Sequence, residues 1–455
     1  MSHTIHGKAV AGQGFIRSKC EPVSTNVLAE PIQLPFSGRI AKNRFLKAPM
    51  TERLCSWSSG LDDITARGVP SKEMINLYAR WGEGDIGIIV GGNLMLRYDA
   101  VEGFGNPILC DNHDNRIEEF KKLSAAAKAH GSLFIAQLSH PGRQGNIALN
   151  PNPVSASDVE LKIHWAGNDF GKPRALTVPE IHELVRWYGE TAYLCHQAGH
   201  DGVQIHCAHG YLLAQFLSKT TNLRTDEYGG SLQNRSRIVF EIIDEIRRRV
   251  PDPNFIICAK VNSVEFQAGG TKPEECQWLC MKLEEAKLDF VDLSGGTFEG
   301  RAFEHKKEST KAREAYFIEF AEMIRPHLKK TKLIVTGGFR TSKGMVDAIN
   351  GGACDGIGIG RPLAAEPFFC KEILEGRVTG ALENFVPLPQ HTQASGTQLH
   401  QIGLADKAIS DWSSQEEVER WIEAFKIETE RRKSIFPKID SSGFPRIQAV
   451  AGLEY

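Results

Sequence analysis

Short apolar runs alternate with longer amphipathic segments through most of this chain. The runs are residues 44–50, 85–93, 132–139, 202–208, 255–262, 290–296, 332–338 and 356–361. They are too apolar on both faces for a half-exposed antiparallel sheet, so we interpret them as parallel strands that are covered on each side. The pattern therefore predicts an α/β fold with eight strand–helix units.

The segments between the runs have the periodicity and the end signals of helices. The clearest are residues 116–130, 178–198, 234–250, 272–286 and 315–328. Proline stands where a helix would begin, and glycine where one would end, at Pro179, Pro273, Gly131, Gly199 and Gly351. These positions suit the fixed φ of proline and the left-handed cap that glycine provides.

Eight such units favour a (β/α)8 TIM barrel, a fold whose loops tolerate insertions. A doubly wound open sheet is built from the same units and is the main alternative. Its glycine-rich dinucleotide fingerprint should follow the first strand and open a helix, whereas Met50 is followed here by Thr-Glu-Arg-Leu. We therefore expect a barrel at about residues 31–380.

The two ends of the chain lack this alternation. Residues 1–30 contain no apolar block, which predicts a poorly ordered N-terminal arm without a secretory signal. Residues 381–404 are polar and aperiodic and predict a connecting loop, whereas residues 414–434 predict a helix with Trp421, Phe425 and Ile427 as apolar anchors. This C-terminal extension, residues 381–455, should pack either on the barrel or on a second subunit of a homo-oligomer.

Composition narrows the class of protein. The 54 basic and 56 acidic residues leave a net charge of -2, without the basic excess that nucleic acid or anionic lipid attracts. The apolar stretch at residues 86–96 is too short to cross a membrane, so we expect a cytoplasmic protein. The ten cysteines are scattered, and Cys276 and Cys280 have no second pair or histidine nearby, so no disulfide framework or metal site is predicted.

The end of the fourth run combines His206, His209 and Tyr211 ahead of a predicted helix. Two adjacent imidazoles can donate hydrogen bonds to one developing oxyanion, and a neighbouring phenol can supply a proton. A zinc pair is the competing interpretation, but the sequence shows no third ligand at suitable spacing. The cluster is therefore a candidate catalytic site.

Other strand ends indicate a bound anion. Gly337-Gly338 and Gly360-Arg361 end the seventh and eighth runs, where barrels often bind phosphate. Lys260 lies within the fifth run, and its ammonium is expected to point into the barrel mouth, where it needs a partner. Such a lysine forms a Schiff base or faces an anionic cofactor, and its position alone does not decide between them.

Longer motifs occur in a fixed order along residues 31–370. They are APMT at 48–51, QLSHPGR at 137–143, HCAHGYLLAQFLS at 206–218, NLRTDEYGGS at 222–231, NR at 234–235 and GIGRP at 358–362. With these motifs the chain resembles the old yellow enzyme family of FMN-dependent ene reductases, also called NADH:flavin oxidoreductases. The resemblance implies a flavin bound at the mouth of a TIM barrel.

The resemblance also implies a role for individual residues. Those implied to contact the isoalloxazine ring are Pro49, Met50, Thr51, Gly92 and Gln137, with Lys260 facing N1 and O2. Those implied to hold the FMN phosphate are Gly338, Gly360 and Arg361. The oxygen of the substrate would be bound by His206 and His209, and the proton would come from Tyr211.

The implied reaction has two halves at one site. NADH or NADPH reduces FMN, and the double bond of an enone, or a quinone or nitro acceptor, then takes the hydride in a ping-pong cycle. The family often has arginine where Lys260 stands and proline where Lys219 stands. The first departure bears on the flavin potential, because lysine lacks the planar fork of arginine.

Two other functions agree with the residues alone. A cofactor-free lyase or aldolase would use Lys260 as a Schiff base, and a catalytically silent protein would bind FMN without oxidising NADH or NADPH. The absence of cysteine after Cys370 disfavours relatives with an iron–sulfur segment in that region. Substrate choice is expected in the loops at residues 150–173 and 298–310.

Overall fold

The computed structural model describes residues 15–58, 63–163, 170–265, 269–296, 317–405, 408–450 and 452–454. Eight parallel strands close into a barrel in which each strand pairs with the next and the last pairs with the first. They are β1 (Phe45–Lys47), β2 (Ile88–Met95), β3 (Leu133–Ser139), β4 (Gly202–Cys207), β5 (Ile256–Asn262), β6 (Phe290–Ser294), β7 (Lys332–Thr336) and β8 (Gly356–Ile359). The TIM barrel is therefore confirmed.

Helices pack around the barrel and extend beyond it. The main ones are α1 (Lys72–Glu83), α2 (Ile117–Lys128), α3 (Val178–Gln197), α4 (Leu232–Arg249), α5 (Pro273–Glu285), α6 (Ile318–Ile324), α7 (Ser342–Asn350), α8 (His391–Gly403) and α9 (Gln415–Ile435). Short helices also occur at Asn26–Ala29, Leu212–Leu217, Pro362–Ala365 and Phe369–Leu374. The last of the predicted barrel helices, at residues 315–328, is shorter than expected, because α6 gives way to a 3-10 turn at Arg325–His327.

Most of the sequence signals at helix ends have direct structural counterparts, but Gly351 is right-handed, with φ -71°, so its prediction as a left-handed cap is wrong. The Thr177 hydroxyl accepts the N–H of Glu180, whose carboxylate accepts the N–H of Thr177 in return, so α3 begins with a capping box. Gly199, just after α3, has φ +79°, the left-handed conformation that glycine adopts at little cost. All seven residues of β3 and of β5 are buried, as expected for strands covered on both faces.

The prediction of a connecting loop over residues 381–404 is wrong for its second half, where α8 lies. Residues 393–403 of this helix are all buried, although many of them are polar. Gln398 donates to the Ser410 carbonyl oxygen at 2.8 Å, and the Trp421 indole donates to the Thr397 hydroxyl at 2.9 Å. Because internal partners bind several of its buried polar side chains, the helix forms without an apolar stripe, and the sequence shows no helical period.

The C-terminal extension packs on the barrel through α8 and through the segment that follows α9, the first of the two predicted alternatives. α9 is present as predicted, and its Trp421 is buried against Phe425, with ring centroids 5.0 Å apart. Ile427 is 63% exposed, so its prediction as an apolar anchor is wrong. The following segment returns to the loop after β1, where Arg53 donates to the Ser442 carbonyl oxygen at 2.7 Å.

The N-terminal arm differs from its prediction where the structure describes it. The Ile16 amide donates to the Ser413 hydroxyl at 3.1 Å, and Arg17 forms an ion pair with the buried Glu366. Residues 15–30 are thus tied to the barrel and to the C-terminal extension. Residues 1–14 of the arm, residues 164–169 and 298–310 of the predicted substrate loops, and residues 315–316 of the predicted helix lie outside the described residues. None of the helices described here is long and apolar enough to span a bilayer.

Candidate active site

A cavity of about 360 Å³ opens at the carboxyl ends of the barrel strands. This volume is in the range of small-molecule sites, and the location is where barrels of this type place their chemistry. The predicted site residues that line it are Pro49, Met50, Thr51, Gln137, His206, His209, Tyr211 and Arg361. The structure therefore brings eight of the twelve predicted site residues to one cavity, and Gly92, Lys260, Gly338 and Gly360 lie outside its lining.

The two imidazoles occupy the end of β4. His206 is on the strand, and His209 lies in the turn after it with φ +59°, a left-handed conformation that non-glycine residues rarely adopt. The N–H of His209 donates to Asn262 Oδ1 at 3.1 Å, and its Nε2 lies 3.0 Å from Ser294 Oγ. These contacts fix the turn so that the two rings lie with their centroids 5.4 Å apart.

Both imidazoles are uncharged at neutral pH. Burial and, as a smaller cause, the charge on Lys260 lower the pKa of His209 to about 3. Burial also lowers the pKa of His206 well below its ordinary value, with His209 and Lys260 as smaller causes. Because the Ala208 amide donates to His206 Nδ1 at 3.4 Å, the proton of the neutral His206 ring is on Nε2. His206 can therefore donate one hydrogen bond.

Tyr211 lies beside the imidazoles and keeps its proton. Its ring centroid is 4.6 Å from that of His206, and the residue is 7% exposed. Burial raises the pKa of the phenol well above its ordinary value, and the negative charge of Glu102 raises it further. Arg53 and a hydrogen bond with Asn93 act in the opposite direction. The result is a neutral phenol that can act as a proton donor.

Next to this cluster, several polar side chains are hydrogen-bonded around Glu102, a residue that the sequence analysis did not identify. Thr51 Oγ1 donates to Glu102 Oε2 at 3.1 Å, and Asn93 Nδ2 donates to the same oxygen at 2.9 Å. Arg53 forms an ion pair with the other oxygen of Glu102 at 3.3 Å. Glu102 therefore orients Thr51 and Asn93, which both line the cavity. It comes from the loop between β2 and α2, and no motif pointed to it.

Lys260 has a buried partner that could have been predicted. Its Nζ lies 2.6 Å from Asp292 Oδ2, and neither residue is more than 2% exposed. Asp292 also accepts from Thr336 Oγ1 at 2.6 Å and from Gln204 Nε2 at 3.3 Å. Asp292 is a lone carboxylate within the strand next to that of Lys260, and a buried ammonium requires such a partner. The position of Asp292 in the neighbouring strand could therefore have identified it as the partner of Lys260.

Gly92 is explained by close packing. Its N–H donates to the Tyr78 hydroxyl oxygen at 3.0 Å. A Cβ atom at this position would lie 2.0 Å from the Met50 carbonyl oxygen and equally close to Glu52 Oε2. Tyr78 donates to Glu52 Oε1 at 2.7 Å, and Lys47 forms an ion pair with the same oxygen at 3.1 Å. The glycine thus lets the loop after β1, which carries Met50, lie directly against β2.

The predicted phosphate region combines glycines with a cation. Gly337 and Gly338, after β7, have φ +127° and +91°, conformations that other residues rarely adopt. Gly360 and Arg361 follow β8, and Arg361 NH1 lies 2.9 Å from His391 Nδ1 at the start of α8. α8 also contributes Thr392, Ser395, Gly396 and Leu399 to the cavity. The sequence missed all of these α8 residues, because it gave no sign of the helix.

The residues of this region fit FMN. Arg361 offers a guanidinium fork for phosphate, next to backbone in conformations suited to close approach by an anion. Pro49 and Met50 offer an apolar surface, and Gln137 an amide, for a flat heteroaromatic ring. Ser395 Oγ is buried and has no hydrogen-bond partner among the described residues, so the cavity wall holds a polar group available to a ligand.

Comparisons with known proteins agree with this assignment. The chain matches the NADH:flavin oxidoreductase / NADH oxidase family over residues 28–379. It is 43% identical over 410 residues to the NADH-dependent flavin oxidoreductase nadA of Aspergillus parasiticus, covering 88% of this chain and 90% of the relative. It is 35% identical over 368 residues to iccE of Talaromyces variabilis, covering 74% and 84%. An old yellow enzyme homologue from Zymomonas mobilis has a similar structure, with a TM-score of 0.64 and 25% identity over 78% of this chain and 94% of that one.

These similarities differ in their extent. The family match ends at residue 379, before α8. The match with nadA covers 88% of the chain, which is long enough to include the start of α8 even if it begins at residue 1. The family uses FMN as its cofactor and NADH as its reductant. The match spans most of the chain and includes all eight barrel strands, so this chain belongs to the NADH:flavin oxidoreductase / NADH oxidase family, of which the old yellow enzymes are members.

Proposed function

We propose that this chain uses FMN and NADH to reduce the carbon–carbon double bond of α,β-unsaturated carbonyl or nitro compounds. The observation that supports this most is the grouping of two neutral imidazoles and one protonated phenol on a single cavity with Pro49, Met50 and Thr51. When bound, FMN supplies hydride exchange with NADH and with the acceptor at one site. The protein residues then have to bind the acceptor, polarise it and protonate it.

His206 and His209 are proposed to bind the oxygen of the acceptor. His206 donates from Nε2, because its Nδ1 accepts from the Ala208 amide. Ser294 is proposed to donate to Nε2 of His209, which leaves Nδ1–H of that ring as the second donor. Two donors to one oxygen draw electron density from the double bond, and this makes the β carbon electrophilic.

Tyr211 is proposed to protonate the α carbon after hydride reaches the β carbon. Its raised pKa keeps the phenol protonated at neutral pH, as an acid requires. Glu102 contributes to that raised pKa and also binds the Thr51 hydroxyl. The carboxylate thus acts on the proposed acid and on the proposed flavin contact together.

The proposed cofactor contacts follow the cavity. Pro49, Met50, Thr51 and Gln137 would contact the isoalloxazine ring, with Gly92 beside them. Arg361, with Gly338 and Gly360, would hold the phosphate. Lys260 would act from below the cavity, where Gln137 Nε2 donates to Gln204 Oε1 at 2.8 Å and Gln204 donates to its partner Asp292. This row of side chains connects the proposed ring contact to the buried ion pair.

Two alternative functions are less compatible with these observations. An aldolase lysine must reach the substrate as a free amine, whereas Lys260 is an ion-paired residue outside the cavity lining. A silent flavin-binding protein has no use for a neutral acid and two neutral donors grouped beside its cofactor. Among the described residues, His206 and His209 do not form part of any group of three or more side chains that could hold a metal ion.

A two-step experiment tests the proposed function. The purified chain is titrated with FMN, and the bound flavin is then reduced with NADH without oxygen. We expect a yellow complex that NADH bleaches and that enones and nitroalkenes reoxidise, with a saturated product. Quinones serve as controls, because they accept electrons without needing protonation at carbon. Reoxidation by quinones alone would contradict reduction of double bonds, and failure to bind FMN would contradict the whole proposal.

The potential of the bound flavin should depend on Lys260. A direct hydrogen bond from a charged group contributes about 1.5 to 3 kcal/mol, or about 30 to 65 mV for two electrons. Lys260 acts from below the cavity, so Lys260→Met should lower the midpoint potential by no more than that amount, as measured by spectroscopic redox titration. The double variant with Asp292→Asn is the matched control, because it removes the opposing charge and should recover part of the shift. An unchanged potential in Lys260→Met would separate Lys260 from the flavin.

A further inference from the structure

The C-terminal extension forms one wall of the candidate active site. His391, Thr392, Ser395 and Leu399 line the cavity from α8, at a spacing that places them on one side of the helix. The family match ends at residue 379, so this wall lies beyond the residues of that match. Its contacts with the barrel site therefore require their own explanation.

α8 is held in place by contacts with the C-terminal segment and with the loop after β1. A Cβ atom on Gly396 would lie 2.5 Å from the ring of Phe444, so this ring packs directly on the helix backbone. The Thr397 hydroxyl donates to the Pro445 carbonyl oxygen at 2.9 Å. His400 Nε2 lies 3.1 Å from the carbonyl oxygen of Glu52, in the loop after β1. α8 is thus a fixed wall between the barrel mouth and the C-terminal segment.

One contact connects this wall to the predicted phosphate site. His391 Nδ1 lies 2.9 Å from Arg361 NH1, and His391 Nε2 lies 2.7 Å from the Val386 carbonyl oxygen. A carbonyl oxygen can only accept, so Nε2 carries the proton of the ring. Nδ1 of the neutral ring is then an acceptor, and it binds an N–H of the guanidinium. His391 is therefore fixed on both sides, and it fixes Arg361 in turn.

We propose that His391 is a positioning residue for the FMN phosphate and acts by holding the guanidinium of Arg361. The C-terminal extension then contributes to cofactor binding through His391. This inference rests on the proposed role of Arg361. A guanidinium recognises phosphate through a planar fork, so its orientation matters as well as its charge. The hydrogen bond from Arg361 to His391 sets that orientation before the cofactor binds.

The ratio of affinities for riboflavin and FMN tests this inference. The two flavins have the same ring and differ in the phosphate, and the dissociation constants come from quenching of flavin fluorescence. His391→Leu removes the acceptor and should weaken FMN binding by about 10- to 100-fold, the effect of losing one charge-assisted hydrogen bond, with riboflavin binding unchanged. His391→Asn places an amide oxygen near the position of Nδ1 and should restore most of the FMN affinity.

Two further variants separate positioning from packing. Gln398→Leu disturbs α8 on the side of Ser410, away from Arg361, and should leave the ratio of affinities unchanged. In an Arg361→Met background, His391→Leu should have no further effect on FMN binding. Equal weakening of both flavins by His391→Leu, no weakening, or an effect that persists without Arg361 would each overturn the inference. A wild-type chain that does not bind FMN would contradict the proposed function as well, so the two failures are distinguishable.

Discussion

Tyr211→Phe is expected to slow reduction of an activated alkene by about 100- to 10 000-fold, the usual contribution of a positioned general acid. FMN binding and oxidation of NADH should stay close to wild type, because neither step needs a proton from this phenol. Water cannot easily supply the proton in place of the phenol, because Tyr211 is only 7% exposed and lies beside the His206 ring. The loss should therefore appear in one half-reaction only.

Rapid mixing of each half-reaction measures this difference. The reduced enzyme is mixed with an enone and, separately, with a quinone. Tyr211→Phe should be slow with the enone and near normal with the quinone. Tyr228→Phe is the matched control: it removes a buried hydroxyl that donates to Glu241 outside the cavity, and both rates should stay unchanged. If Tyr211→Phe reduces both half-reactions equally, the phenol is a structural group and not the acid.

The sequence predicted the barrel because the barrel depends on features that repeat. Each strand is an apolar run buried on both faces, and each helix is amphipathic, so eight independent signals agree on one architecture. The polar residues His206 and Lys260 were predicted for the same reason, since each stands out within an apolar run. Their location in one site then followed from the rule that TIM-barrel active sites lie at the carboxyl ends of the strands. The family resemblance instead supplied the predicted contacts with the flavin ring, which are those of Pro49, Met50, Thr51, Gly92 and Gln137.

The parts that the sequence did not predict depend on contacts between distant segments. α8 is a polar helix whose side chains bind Ser410 and Trp421, so its burial leaves no apolar period in the sequence. Glu102 lies in a loop, and only the fold brings it to Thr51 and Tyr211. The missed residues share one feature: each acts through contacts with residues that are distant in the sequence.

Loss of the imidazole of His206 is the second large expected effect. Removal of one donor to a developing oxyanion costs about 100- to 1000-fold in comparable sites, and His206→Ala should slow enone reduction by about that factor. The double variant with His209→Ala should lose less than the product of the two single effects, because both donors act on one oxygen. His196→Ala removes a partly exposed histidine that pairs with Asp252, and it should have no effect on either half-reaction.

The pH dependence distinguishes neutral donors from charged ones. The pKa of His209 is lowered to about 3, so the neutral ring predominates at every pH above that value. The pKa of His206 is lowered too, and the rate of enone reduction should be flat from about pH 5 to pH 8, with no inflection near the ordinary histidine pKa of about 6.5. A rate that rises as the pH falls through 6.5 would mean that imidazolium binds the acceptor. Electrostatic repulsion from Lys260 argues against that charge, and a flat profile would support two neutral donors.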